Sequence, residues 1–170
     1  MERFATDLVE LSTRHNFAFW LASGLFHRGW ARSVSGDTAQ GIALIDRGLR
    51  DYRATGAVLG LPVFLGRKAE ALYLADRPSE ALEAINEAKA LDERLGYRDY
   101  CARMHCLRGV FLATLGAEES QIEASFAAAI RIAKEQKSVS LEKRAERTYA
   151  EYRRQKVSAS QGSGFRLPLW

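Results

Sequence analysis

Proline, cysteine and long apolar runs are all scarce in this sequence, and each scarcity excludes a class of structure. Only three of the 170 residues are proline, and Ala, Leu, Glu and Arg are abundant, so little interrupts helix formation. No apolar run reaches 18 residues, and we therefore expect no membrane span. The rest of the composition, 47% hydrophobic and 27% charged, is ordinary for a globular domain.

The two cysteines, Cys101 and Cys106, fit neither a disulfide nor a metal site. Five residues of helix turn the chain through about 500°, so their side chains diverge. His105 beside them does not complete a zinc pattern. We expect no metal and no cofactor. The free thiols, together with an N-terminus (MERFATDLVELSTRH) that lacks the features of a signal peptide, predict a cytoplasmic location.

Motifs of common catalytic sites are also missing from the sequence. There is no G-x-x-x-x-G-K-[ST] phosphate loop, no H-E-x-x-H and no G-x-S-x-G. The three histidines, His15, His27 and His105, fall on different predicted helices without an evident nucleophile or carboxylate partner. The sequence therefore predicts a protein that is not an enzyme and has no catalytic residues.

Small residues recur at an interval of 40 residues, which indicates a stacked repeat protein. Gly29 aligns with Ala69 and Gly109, and Gly48 aligns with Ala88 and Ala128. Glycine inside a helix costs about 1 kcal/mol relative to alanine. Its recurrence in helical segments therefore predicts places where two helices cross too closely for a larger side chain.

Apolar periodicity, together with glycines at the expected helix ends, predicts an all-α fold of about eight helices. The predicted helices are 2–15, 17–35, 38–55, 62–75, 78–95, 98–115, 118–137 and 139–155. They form three repeats, about 17–56, 57–96 and 97–137, flanked by helices 2–15 and 139–155 within a domain spanning 1–155. Residues 156–170 are predicted to be a flexible tail. Asp37 is expected to be an N-cap, and Pro78 a first-turn residue.

The spacing of the small residues resembles the tetratricopeptide repeat. That pattern is present in two sets, Gly29, Gly36, Gly41, Gly48 and Ala69, Asp76, Ala81, Ala88. The third repeat has Gly109 and Gly116, followed by either Ala128 or, with a one-residue insertion, Phe126 and Ala129. The resemblance implies a solenoid of stacked antiparallel helix pairs, although the 40-residue period is longer than the usual 34.

Four segments resemble the C-terminal repeat region of large bacterial signalling proteins that carry a class III adenylate or guanylate cyclase domain, or an AAA-type ATPase domain. They are STRHNFAFWLASGLFHRGWA, GIALIDRGLRDYRATGAVLGLPVFL, PSEALEAINEAKAL and QKSVSLEKRAERTYA. Arg67 and Lys68 depart from this resemblance, because that family usually has apolar residues there. The resemblance implies a detached or truncated repeat region that regulates a catalytic domain carried elsewhere.

In a tetratricopeptide stack, the first helix of each repeat lines the concave face, which predicts a partner-binding surface. Trp30 and Phe26 are expected to be its apolar anchors, and Arg28, Lys68 and Arg108 a row of charges for an acidic group. The predicted binding residues are Phe26, Arg28, Trp30, Lys68, Glu70, Tyr73, Arg103 and Arg108.

The sequence therefore favours a non-catalytic protein-interaction or regulatory scaffold that binds a partner peptide or helix. The repeat region of a cyclase-type protein is the alternative. Nucleic-acid binding is a second alternative that we do not favour: residues 131–156 contain nine Lys or Arg but also four Glu, as a solvated helix does. The apolar residues of the first helix also predict self-association through exposed ends of the solenoid.

Overall fold

The computed structural model describes residues 2–159, with side chains as far as residue 157. Within these residues all regular structure is α-helical, and no strand occurs. The eight helices are α1 (Glu2–Arg14), α2 (Ala18–Val34), α3 (Thr38–Ala54), α4 (Leu61–Leu74), α5 (Pro78–Leu95), α6 (Cys101–Thr114), α7 (Glu119–Glu135) and α8 (Val139–Ala159). The prediction of about eight helices is confirmed, and most of their ends agree within one or two residues.

The predicted turn residues have the expected backbone geometry. All four glycines placed at helix ends have positive φ: Gly36, Gly56, Gly96 and Gly116. The Asp37 side chain accepts a hydrogen bond from the backbone N–H of Gln40 at 3.4 Å, as an N-cap does. Asp76, which aligns with Gly36 in the repeat, adopts the same left-handed conformation with φ 59°, a conformation that Asp tolerates better than most residues.

The chain forms two compact units, which divide inside α5: an N-terminal unit up to Ala84 and a C-terminal unit from Ile85. In the N-terminal unit, α2 packs against α1, α3 and α4, and α3 packs against α4. The predicted close crossing of helices is confirmed for α2 and α3. A Cβ atom on Gly48 would lie 2.7 Å from the backbone nitrogen of Phe26, so only glycine fits there.

Aromatic rings join α2 to α4 in the core of the N-terminal unit. Phe26 of α2 stacks on Phe64 of α4, with ring centroids 4.1 Å apart and planes 11° apart. Tyr52 of α3 meets the edge of the Phe64 ring at 5.0 Å. These contacts bury Phe26 completely and set the register between α2 and α4, on which the candidate site depends.

In the C-terminal unit, α7 packs against both α6 and α8, and α6 also contacts α8. Gly109 of α6 lies over the Phe126 ring, which in turn stacks on Tyr149 of α8 at 5.2 Å. Ala129 is fully buried, whereas Ala128 is half-buried. The third repeat therefore follows the alternative with Phe126 and Ala129, and the expected equivalence of Ala128 with Gly48 is wrong.

Two boundaries differ from the sequence prediction. Helix α6 begins at Cys101 instead of residue 98, after a turn at residues 99–100. Helix α8 continues to Ala159, so the predicted tail begins inside a helix. The remainder of that tail, residues 160–170, lies outside the described residues.

Candidate partner-binding site

Arg67 and Trp30 form the centre of a candidate site in the N-terminal unit. The guanidinium carbon of Arg67 on α4 lies 4.5 Å from the centroid of the Trp30 ring on α2, a cation–π contact. Both side chains are half-buried. Trp30 Nε1 and Arg67 Nε are buried atoms for which the described residues provide no hydrogen-bond acceptor.

The packing of α2 on α4 explains why these two side chains meet. Trp30 follows Phe26 by four residues, and Arg67 follows Phe64 by three, so each lies one turn further along its helix. The stacking of Phe26 on Phe64 therefore aligns the next turn as well, where Trp30 meets Arg67.

His27 is the third member of this site, which we call the Trp30–Arg67 cluster and define as His27, Trp30 and Arg67. The His27 ring lies edge-on to Phe64, with centroids 5.6 Å apart. Burial and, to a smaller extent, the charge of Arg67 lower the pKa of His27 below its usual value of 6.5. His27 is therefore neutral at pH 7, and Arg67 carries the positive charge of the cluster.

Three of the predicted binding residues are buried. Phe26 has no exposed surface, Glu70 is 1% exposed and Tyr73 is 8% exposed. The expectation that Phe26 is an exposed anchor is wrong, because its ring forms part of the core with Phe64. Helical spacing could not distinguish this position from Trp30, since both project from the same side of α2.

Two members of the predicted charge row contact the second helices of the repeats. Lys68 Nζ pairs with Asp46 Oδ1 of α3 at 2.6 Å. Arg108 donates hydrogen bonds to Asn86 Oδ1 of α5 at 3.2 Å and to Ser125 Oγ of α7 at 2.6 Å. Arg28 differs from both, because its buried Nε has no acceptor among the described residues.

Arg103, the remaining predicted residue, borders a cavity between α6 and α8 of the C-terminal unit. The cavity is lined by Ala102, Arg103, Cys106, Leu107, Leu141, Arg144, Ala145 and Thr148. Burial raises the pKa of Cys106 to about 11, although a hydrogen bond with Thr148 opposes the shift. The thiol is therefore protonated and unreactive at pH 7.

Some of the basic residues in the C-terminal segment form ion pairs. Arg131 pairs with Glu135 at 2.6 Å, and Arg154 pairs with Glu151 at 2.6 Å. Lys156 also pairs with Glu119. This pairing reduces the positive field that the sequence count alone suggests.

Residues 2–159 contain neither a membrane-spanning helix nor a cluster of metal-binding side chains. None of the helices combines the length and the apolar character needed to cross a bilayer. No three or more His, Cys, Asp or Glu side chains are grouped so that they could hold a metal ion.

The sequence was also compared with known proteins. No family model matches the chain. An uncharacterized protein of Rhizobium meliloti (strain 1021) is 30% identical over 144 residues, which are 85% of this chain but only 14% of that protein's length. The chain therefore corresponds to about a seventh of its curated relative.

Among solved structures, the chain is similar to Bacillus thuringiensis PlcR, crystallised in complex with the peptide PapR7 and DNA. The TM-score is 0.77 and the identity 19%, over 85% of this chain and 54% of the PlcR chain. An identity this low supports a conclusion about the fold alone. Together with the eight helices of the described residues, it confirms the all-α, tetratricopeptide-like fold predicted from apolar periodicity and the spacing of the small residues.

Proposed function

We propose that this protein is a non-catalytic interaction and regulatory module of tetratricopeptide type, which binds a peptide or helix of a partner protein. The observation that carries this proposal is the Trp30–Arg67 cluster. It combines an aromatic ring and a guanidinium, the groups most enriched at the energetic centres of protein interfaces. The cluster lies on α2 and α4, the first helices of their repeats, which line the binding face of such stacks.

The likeness to PlcR supports the same proposal. The PlcR structure contains a bound peptide, and 85% of the present chain matches its fold. We propose Trp30, Arg28 and Arg67 as the groups of the N-terminal unit that meet the partner, and Arg103 as a separate partner contact of the C-terminal unit. Lys68, Glu70, Tyr73 and Phe26 then hold the helices of the N-terminal unit in position, and Arg108 those of the C-terminal unit. We also propose a cytoplasmic location, as the free cysteines suggest.

The test is a comparison of partners captured by the wild-type protein, Trp30→Ala and Trp20→Ala. Trp20 is a matched control because it lies on the same helix and is 54% exposed. Circular dichroism first establishes that all three proteins are folded. A partner lost only with Trp30→Ala supports the proposal, and isolation of the same proteins by all three would place the binding surface elsewhere.

A second candidate function is that of a regulatory repeat region in a cyclase-type or AAA-ATPase-type signalling system. The much greater length of the Rhizobium relative, in which the matching segment is a small part, supports a repeat region within a larger protein, and the cyclase or ATPase domain is implied by the resemblance of the four segments. The experiment is to assay cyclase and ATPase activity of captured partners with and without this chain. A change in activity that depends on the chain would support this function, and partners lacking both activities would exclude it.

A third candidate is nucleic-acid binding, which is kept because the solved PlcR complex includes DNA. Lys143, Arg144 and Arg147 on α8 are exposed and supply positive charge. Binding to duplex DNA should then weaken steeply with salt, and replacing Arg144 and Arg147 by Gln should reduce the slope. Absence of binding at 50 mM salt would remove this candidate.

A further inference from the structure

The chemistry of the ligand can be inferred from the charge of Arg67. Two other cations in the N-terminal unit are about as buried, and each has a carboxylate. Lys68 pairs with Asp46 at 2.6 Å, and Arg32 pairs with Glu2 at 3.0 Å, with 28% of each cationic side chain exposed. Arg67 instead has the Trp30 ring on one side and no acceptor for its Nε among the described residues.

A half-buried guanidinium without an anion is an unfavourable arrangement that an external anion would relieve. Desolvation of a charge costs free energy unless an opposite charge or hydrogen bonds compensate for it. The neutral His27 beside Arg67 provides no negative charge. Arg67 therefore has interaction capacity that the described residues leave unused.

The Trp30 ring also prepares Arg67 to bind. Contact with the ring restricts the position of the guanidinium, so less side-chain entropy is lost when a ligand binds. Arg67 is half-buried as a whole and its Nε is buried, whereas its two terminal nitrogens are not among the buried atoms that lack a hydrogen-bond partner. These nitrogens form the fork that receives both oxygens of a carboxylate.

We propose that Arg67, held against Trp30, binds a carboxylate of the partner peptide, either an Asp or Glu side chain or the C-terminal carboxylate. This inference rests on the proposed peptide-binding function and adds the chemical class that the site selects. The apolar ring of Trp30 beside the guanidinium favours an apolar residue next to that carboxylate.

The test uses three short peptides and the side-chain N–H signals of Arg67 and Trp30 in nuclear magnetic resonance spectra. The first peptide is acetyl-Ala-Leu-Glu-Leu-Ala-amide, the second contains Gln in place of Glu, and the third is the Gln peptide with a free C-terminus. We expect the Arg67 Nε–H and Trp30 Nε1–H signals to shift with the Glu peptide, with the peptide that has a free C-terminus, or with both. The second peptide carries no carboxylate and should leave both signals unchanged.

Two variants of Arg67 and one control separate charge from fold. Arg67→Gln should weaken carboxylate binding roughly tenfold, Arg67→Lys should weaken it less, and Arg50→Gln, at an exposed position of α3, should leave it unchanged. The bound carboxylate should also raise the pKa of His27, because it offsets the charge of Arg67.

Equal affinity of the wild type and Arg67→Gln for the carboxylate peptides would overturn the inference, as would an equal response to all three peptides. Failure here is distinct from failure of the proposed function. A partner that depends on Trp30 but still binds Arg67→Gln would retain the interaction module and remove its carboxylate specificity.

Discussion

Gly29 and Gly41 face each other where α2 crosses α3, and neither position has room for a side chain. A Cβ on Gly29 would lie 2.5 Å from the carbonyl oxygen of Gly41, and a Cβ on Gly41 would lie 2.7 Å from that of Gly29. Distances this short are repulsive, and backbone atoms cannot move aside as the end of a side chain can. The two glycines therefore set how closely the helices approach.

Gly29→Ala and Gly41→Ala should each lower the free energy of unfolding by about 1 to 3 kcal/mol, because overpacking outweighs the gain in helix propensity of about 1 kcal/mol. Urea unfolding measures the change. Ala43→Gly, at an exposed site on α3, is the control for propensity alone. A stability gain in Gly41→Ala would contradict the close crossing.

Gly109→Ala should be less costly than Gly29→Ala. A Cβ on Gly109 would meet the Phe126 ring at 2.9 Å, and this neighbour is a side chain. The ring can shift by a few tenths of an ångström at the expense of its stacking on Tyr149. We expect Gly109→Ala to lower the free energy of unfolding by about 1 kcal/mol. In the Phe126→Leu background, the cost of Gly109→Ala should be smaller. Additivity of the two substitutions would mean that they do not share this contact.

His105 should make the protein less stable as the pH falls below about 6.5. Burial lowers its pKa to about 4, and the charges of Lys89, Arg108 and Arg131 act in the same direction. The unfolded chain therefore binds a proton that the folded chain does not between these pH values, and stability falls as the pH is lowered. The contribution is about 1 to 2 kcal/mol at pH 5.

His105→Gln should flatten this part of the pH dependence, measured by urea unfolding from pH 4.5 to 7.5. His15→Gln, which replaces an exposed histidine after α1, provides the comparison. An unchanged slope in His105→Gln would show that other groups cause the acid sensitivity.

Self-association should depend on the outer face of α1. Phe4 is 78% exposed and Leu11 is 51% exposed, and they lie seven residues apart on one side of the helix. Leu8 and Val9 instead pack beside Gly24 of α2. Replacing Phe4 and Leu11 by Ser should reduce the increase in apparent mass with protein concentration, as measured by analytical ultracentrifugation. Val139→Ser, at an exposed apolar site of α8, should leave this increase in mass unchanged. A wild type that stays monomeric at high concentration would refute the prediction.

The helices were largely predictable because their signals are local. Gly36, Gly56, Gly96 and Gly116 terminate helices through their own backbone conformation, and Asp37 caps α3 through a residue three positions away. The 40-residue period likewise indicated where helices cross. A fixed 40-residue period places Ala128 at the buried position that Ala129 occupies in the structure. The difference is a one-residue insertion, which rotates the helix by about 100°.

The sequence by itself determined the all-α class, the helix order and the close crossing at Gly29, because each depends on short spacings or on a recurring residue size. Only the tertiary structure decided which of Phe26 and Trp30 keeps exposed surface and which half-buried cations have a carboxylate partner. Phe26 and Trp30 are equivalent in helical spacing, yet packing on Phe64 buries one and leaves the other beside Arg67. In the sequence, Arg67 is distinguished only as a departure from an apolar position. Its role depends on α2, 37 positions earlier in the chain, and the register between packed helices is a property of the fold.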